Sequence, residues 1–214
     1  NNSERAMQII YIHGLNSDHT AEKGKILDEY CQQHHPQIKV HRPNLNMSPA
    51  KVEALLKDLI AQDEQTGLVG SSLGGYFATL LANQTGKKAV LLNPSLEPHQ
   101  TLQRFFPEDK AFETLSKDYV ATTTDTGWEM TKADIDWLAQ HRVTQADYPH
   151  NMLVIVKTGD ELLDYQVAVD FFSQSNSGQN GQSHIIIEEG GDHRMTDFST
   201  KLPQVVKFLF GLSR

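Results

Sequence analysis

Little in this chain could fasten it together or tether it from outside its own core. One cysteine, Cys31, stands among 214 residues, so an intrachain disulfide is excluded. Cys31 falls on the apolar side of an expected helix with Ile26, Leu27 and Tyr30, the setting of a buried structural thiol rather than a reactive one. No segment approaches the roughly 20 apolar residues of a membrane span, and no basic-then-apolar leader precedes the first strand. A cytoplasmic location is expected from these features. Lysine- and arginine-rich runs are missing too, and the net charge is −8, which argues against nucleic acid and anionic membranes as partners. No His-x-x-x-His pair or carboxylate cluster has the spacing of metal ligands, so no metal site is expected.

What is present is enough apolar residue, 38%, for one good-sized core, and the expected organisation is a single domain over 7–214. Asn1 to Ala6 are polar and unpatterned, and Met7 would make a natural start, so 1–6 are set aside as a disordered or vector-derived leader. From there strand and helix signals alternate, the pattern of an α/β fold with a parallel sheet. Strands are expected at Met7–Ile12, Lys39–His41, Leu68–Val69, Ala89–Leu92, Met152–Val156 and His184–Ile187. Helices are expected over about Ala21 to His34, from a Ser48-Pro49 cap through Ile60, after residue 72, over Asp164 to Phe172, and from Pro203. Gln174 to Gln182 reads as an exposed polar loop.

Residues 94–151 break the alternation, being too long for an ordinary connection. They hold a β-prone run Tyr119–Thr123, a turn Asp125-Thr126-Gly127 that could close a hairpin, and a helical stretch Lys132–Gln140. The expected role of this insertion is a partial lid over the carboxyl edge of the sheet.

The most specific pattern is Gly70-Ser71-Ser72-Leu73-Gly74, a Gly-x-Ser-x-Gly turn with a strand before it and an amphipathic helix after it. Such a turn exposes the serine hydroxyl at the carboxyl end of a sheet, over a helix N-terminus that favours developing negative charge. A serine needs a base to take its proton. Of ten histidines, His193 follows the last strand behind two glycines, at the same sheet edge, whereas His34, His35, His99, His141 and His150 lack such a setting. The base needs an orienting carboxylate. Asp160 follows the fifth expected strand; its rivals are Glu161, expected to point away, and Asp164, expected to cap the next helix. The order serine, aspartate, histidine is that of α/β-hydrolases. Donors for an oxyanion are expected from the backbone N–H of Leu73 and of Leu15, with His13 shaping the loop that carries Leu15.

With these residues assembled, the chain resembles the YqiA/YcfP-type esterase family, most closely its YqiA branch. The resemblance rests on Ile10–Ser17, Val69–Tyr76, Asn93-Pro94, Thr158–Tyr165 and Glu189–His193. It implies an α/β-hydrolase fold of about six mostly parallel strands, and hydrolysis of carboxylic esters or acyl thioesters without a cofactor. It also implies a catalytic triad at Ser72, Asp160 and His193. Leu102 to Gln145 matches poorly, so the acyl group is left open; Phe105, Phe106, Trp128 and Trp137 are candidates to contact it, or to pack the insertion. The same triad would serve an amidase or peptidase, and a binding module could keep the fold without turnover. The expected partner is a small ester or thioester; the oligomeric state is open.

Overall fold

The computed structural model describes residues 6–62, 65–174 and 181–213. The strands are β1 (Met7–Ile12), β2 (Ile38–His41), β3 (Gln65–Ser71), β4 (Lys88–Leu92), β5 (Val120–Thr123), β6 (Glu129–Thr131), β7 (Met152–Lys157) and β8 (His184–Glu188). The helices are α1 (Glu22–His34), α2 (Pro49–Ile60), α3 (Leu73–Thr85), the single turn α4 (Pro98–Thr101), α5 (Lys132–Gln140), α6 (Tyr165–Gln174) and α7 (Leu202–Phe210). Six strands form one parallel sheet in the order β2-β1-β3-β4-β7-β8; β5 and β6 form a separate hairpin. The chain runs from β1 outward to β2, then crosses back to β3 on the other side of β1. The crevice between the carboxyl ends of β1 and β3 is therefore a topological switch point, where open α/β sheets place their ligands.

Strand alternation divides the buried residues into two cores. Ile10, Ile12, Leu68 and Leu91 face one side, with α2, α3, α6 and the insertion. Ile9, Tyr11, Val69 and Leu92 face the other, with α1 and α7. Covering on both faces is why these strands read as nearly unbroken apolar runs. Cys31 is fully buried against the second face, where desolvation pushes its thiol up to about 12.

Several boundaries differ from the sequence reading for physical reasons. β3 is seven residues long rather than two, because Gly67 and Gly70 interrupt its apolar run without interrupting its ladder. Ser48 makes no side-chain cap bond; α2 starts on Pro49, with the Ser48 carbonyl accepting from Val52 N–H at 3.0 Å. At α5 the cap is a capping box the periodicity did not reveal, Thr131 with Asp134. Asp164 does cap α6, its Oδ1 accepting from Gln166 N–H at 2.9 Å. Most of the polar stretch 174–182, and residues 1–5, lie outside the described residues.

The insertion is more than a flap. Phe106, Trp128, Met130, Ile135 and Leu138 are buried in the first core. Trp128 Nε1 donates to Asp134 Oδ2 at 3.0 Å, and Tyr76 of α3 donates to the carbonyl of His141 at 2.7 Å.

Candidate active site

β3 ends at Ser71 and α3 begins at Leu73, so Ser72 alone makes the turn, with φ +56° and ψ −118°. A left-handed serine costs on the order of 1–3 kcal/mol and persists only where its surroundings enforce it. The enforcement is visible. Ser72 N–H donates to the Leu92 carbonyl at 3.1 Å, and the Ser72 carbonyl accepts from Gly75 and Ser95 at 2.8 and 2.9 Å. The turn also brings α3 against β1, where a Cβ on Gly74 would sit 1.9 Å from the Ile12 carbonyl oxygen. Gly74→Ala is accordingly expected to destabilise the protein by about 3 kcal/mol or more, read as a fallen midpoint in denaturant unfolding or loss of soluble protein.

Two loops complete the site. After β7, Thr158 and Gly159 donate to the carbonyls of Glu188 and Gly190 at 2.9 and 2.8 Å, lacing that loop to the one after β8. Gly190 and Gly191, both at positive φ, then fold the chain over the buried stem of Lys157 and bring His193 round. His193 Nε2 lies 2.9 Å from Ser72 Oγ, and His193 Nδ1 lies 2.9 and 3.0 Å from the two carboxylate oxygens of Asp160. A carboxylate can only accept, so Nδ1 carries the proton and Nε2 accepts from the serine hydroxyl. The Asp160 side chain is 2% exposed. Burial opposes its charge, but hydrogen bonds from His193 and from the N–H groups of Leu163 and Leu162 outweigh it and hold the carboxyl below its ordinary range.

Two residues whose place beside His193 the sequence did not reveal hold its backbone. Glu161 does leave the imidazole to Asp160, yet its Oε2 accepts the His193 N–H at 3.0 Å. Asn93, buried and at φ +43°, donates from Nδ2 to the carbonyls of Asp192 and His193 at 3.1 and 3.0 Å and accepts Lys157 N–H at 2.9 Å. Their partners are set by loop geometry, which leaves no periodic trace.

The pair opens into a groove of about 950 Å³ whose walls include Leu15, Leu73, Phe105 and Leu162. Leu73 is the first residue of α3, where a helix has no partner of its own for the N–H. Leu15 follows Gly14, where an added Cβ would lie 3.3 Å from the Ser72 Cβ. His13 is buried and neutral in role: desolvation lowers its pKa, Nδ1 donates to the Gly14 carbonyl at 2.8 Å, and Nε2 accepts Leu45 N–H at 2.9 Å.

The four aromatic candidates separate. Phe105 lines the groove, and Trp128 lines a small apolar cavity of about 20 Å³ beside Leu15 and Leu73. Phe106 and Trp137 line neither: Phe106 packs edge-on to Phe112 at 5.1 Å, and Trp137 stacks on His141 at 3.8 Å. An apolar ring carries no mark that tells a core from a pocket, so only packing could divide them. Leu162, 67% exposed beside Asp160, is a groove residue that the sequence did not single out. Among the described residues no three His, Cys, Asp or Glu side chains group as metal ligands, and no helix is long and apolar enough to cross a membrane.

This sheet order and these loop positions are those of the α/β-hydrolase fold. Est1E from Butyrivibrio proteoclasticus, solved with ferulic acid bound, matches with a TM-score of 0.73 at 16% identity, over 99% of this chain and 91% of that one. Alpha/beta hydrolase domain-containing protein 10 from mouse matches with a TM-score of 0.69 at 18% identity, over 96% and 90%. More specifically, the sequence profile of UPF0227, described as an uncharacterised protein family, matches residues 8–210, and the chain belongs to that family, which is the YqiA/YcfP type that the motif blocks resemble. A UPF0227 protein of Shewanella oneidensis is 21% identical over 208 residues, covering 95% of this chain and 99% of its own length.

Proposed function

We propose that this protein is a serine hydrolase that cleaves carboxylic esters or acyl thioesters through an acyl-enzyme. The observation that carries the reading is the row Asp160–His193–Ser72, joined by hydrogen bonds of 2.9 to 3.0 Å and ending on a serine held at positive φ. Ser72 Oγ attacks the substrate carbonyl carbon while His193 Nε2 takes the hydroxyl proton. The carbonyl oxygen becomes an oxyanion facing the N–H groups of Leu73 and Leu15. His193 returns the proton to the leaving oxygen or sulfur, which departs as alcohol or thiol. Water then gives a proton to His193 and attacks the acyl carbon, and collapse returns the proton to Ser72 and releases a carboxylic acid. Asp160 stays ionised throughout, holding the ring tautomer and offsetting the charge of the imidazolium. Phe105 and Leu162 line the groove that would receive the acyl chain, and Trp128 lines the cavity beside it.

A panel of p-nitrophenyl esters, acyl-CoA thioesters and matching anilides of rising chain length tests this reading, together with intact mass after fluorophosphonate treatment. Turnover of esters or thioesters with one phosphonyl group on Ser72 is the expected result. Turnover of the anilides alone would make the enzyme an amidase, and an unlabelled, inactive wild type would leave only a binding role.

A further inference from the structure

The loop that carries Leu15 is fastened from outside the sheet, and one of its fasteners is the hairpin turn of the insertion. Asn46, in the segment between β2 and α2, donates from Nδ2 to the Ser17 carbonyl at 2.8 Å and to Asn44 Oδ1 at 2.7 Å. Both partners can only accept, so the amide has one orientation and its Oδ1 is left facing the hairpin. Thr126, in the turn between β5 and β6, donates its hydroxyl to that oxygen at 2.6 Å. The neighbouring Asp125 N–H reaches Asn16 Oδ1 at 3.2 Å, and Asn16 is itself at φ +57°. On the near side His13 ties the same loop to Leu45 N–H. Leu15 therefore sits between Gly14, which has no room for a side chain without crowding Ser72, and two residues held by segments far away in sequence.

We propose that Thr126 and Asn46 are positioning residues that aim the Leu15 N–H at the oxyanion, so that the insertion acts as a brace on the reacting centre. This rests on the hydrolase reading above. A donor must lie about 2.7–3.1 Å from where the oxyanion forms, not from the ground-state carbonyl. A brace that sharpens this aim stabilises the transition state and leaves substrate binding nearly unchanged, so it acts on kcat rather than KM. Loosening the loop by a fraction of an ångström costs less than removing a donor outright, which is worth about 10²–10³-fold.

The test compares wild type with Thr126→Val, Thr126→Ser and Asn46→Asp, using a p-nitrophenyl ester and a trifluoromethyl ketone whose adduct with Ser72 carries the oxyanion. Thr126→Val keeps the shape and removes the hydroxyl donor. Asn46→Asp keeps the acceptor for Thr126 and turns the Ser17 contact repulsive. Both variants are expected to lower kcat about ten- to a hundredfold with KM within twofold, and to weaken the ketone by the same factor as kcat. Thr126→Ser, which keeps the hydroxyl, restores both. Thermal unfolding of each variant identifies any that is merely unstable; a fall in kcat that tracks the unfolded fraction, with ketone affinity per folded molecule unchanged, overturns the brace. So does an active wild type beside a Thr126→Val variant of equal kcat and ketone affinity. A wild type that neither turns over ester nor accepts a phosphonate overturns the hydrolase reading, and this inference with it.

Discussion

Ser72→Ala is expected to lose turnover by about 10⁶ in kcat, and to lose the fluorophosphonate adduct, with the circular dichroism spectrum of the wild type. The size follows from the proposed chemistry: without Oγ no acyl-enzyme could form, and His193 would have no hydroxyl to deprotonate. A second substitution separates that chemistry from the architecture. Ser72 is held at φ +56°, a conformation that alanine tolerates no better than serine but that glycine adopts freely. Ser72→Gly should therefore be as inactive as Ser72→Ala yet more stable than it by about 1 kcal/mol or more, read from denaturant midpoints. Equal stability of the two would mean the turn stores no strain, and a labelled Ser72→Ala protein would place the nucleophile elsewhere.

Asp160→Asn is expected to keep the fold and lower kcat by about 10⁴. The direction follows from the partners of its two oxygens. Leu162 and Leu163 N–H both donate to Oδ1, so an amide at 160 keeps its oxygen there and turns its NH₂ toward His193 Nδ1. An NH₂ facing Nδ1 drives the ring proton to Nε2, which then points a donor at Ser72 and can no longer accept its proton. Asp164→Asn is the control: asparagine caps a helix about as well as aspartate, so activity should stay at the wild-type level. If Asp164→Asn lost activity and Asp160→Asn kept it, the roles of the two carboxylates would be exchanged. The same substitution has a signature in stability. The Asp160 carboxyl is held below its ordinary range in the folded protein, so it stabilises the fold above the unfolded value of about 4, and that stabilisation is lost as pH falls through the folded value. Urea unfolding at neutral pH and near pH 3 should show a smaller acid loss in Asp160→Asn than in wild type.

That Ser72, Asp160 and His193 would meet was legible in the chain because each follows a strand of one parallel sheet. Parallel strands put all their carboxyl ends on one edge, so position after a strand already states where a loop lies. The rest of the site has no such rule. Asn93 reaches His193 and Thr126 reaches Asn46 across 100 and 80 residues, through contacts between loops whose conformations are not periodic. Glu161 shows the limit within a single dipeptide: an extended-loop argument sends it away from the imidazole, but the turn after Asp160 returns its carboxylate to the backbone of the same histidine.

By itself, then, the sequence determined the alternating architecture, the edge at which the candidate site lies and the three residues that meet there, because hydrophobic periodicity and glycine-bracketed turns are local signals. The tertiary structure alone decided which aromatic rings face the groove and which fill the core. It also decided that the insertion, read as a cover, is bonded through Thr126 and Asn46 to the loop beside Ser72. The reason is physical: burial and hydrogen-bond partnership are properties of where distant segments come together, and a side chain carries no record of that until the chain has folded.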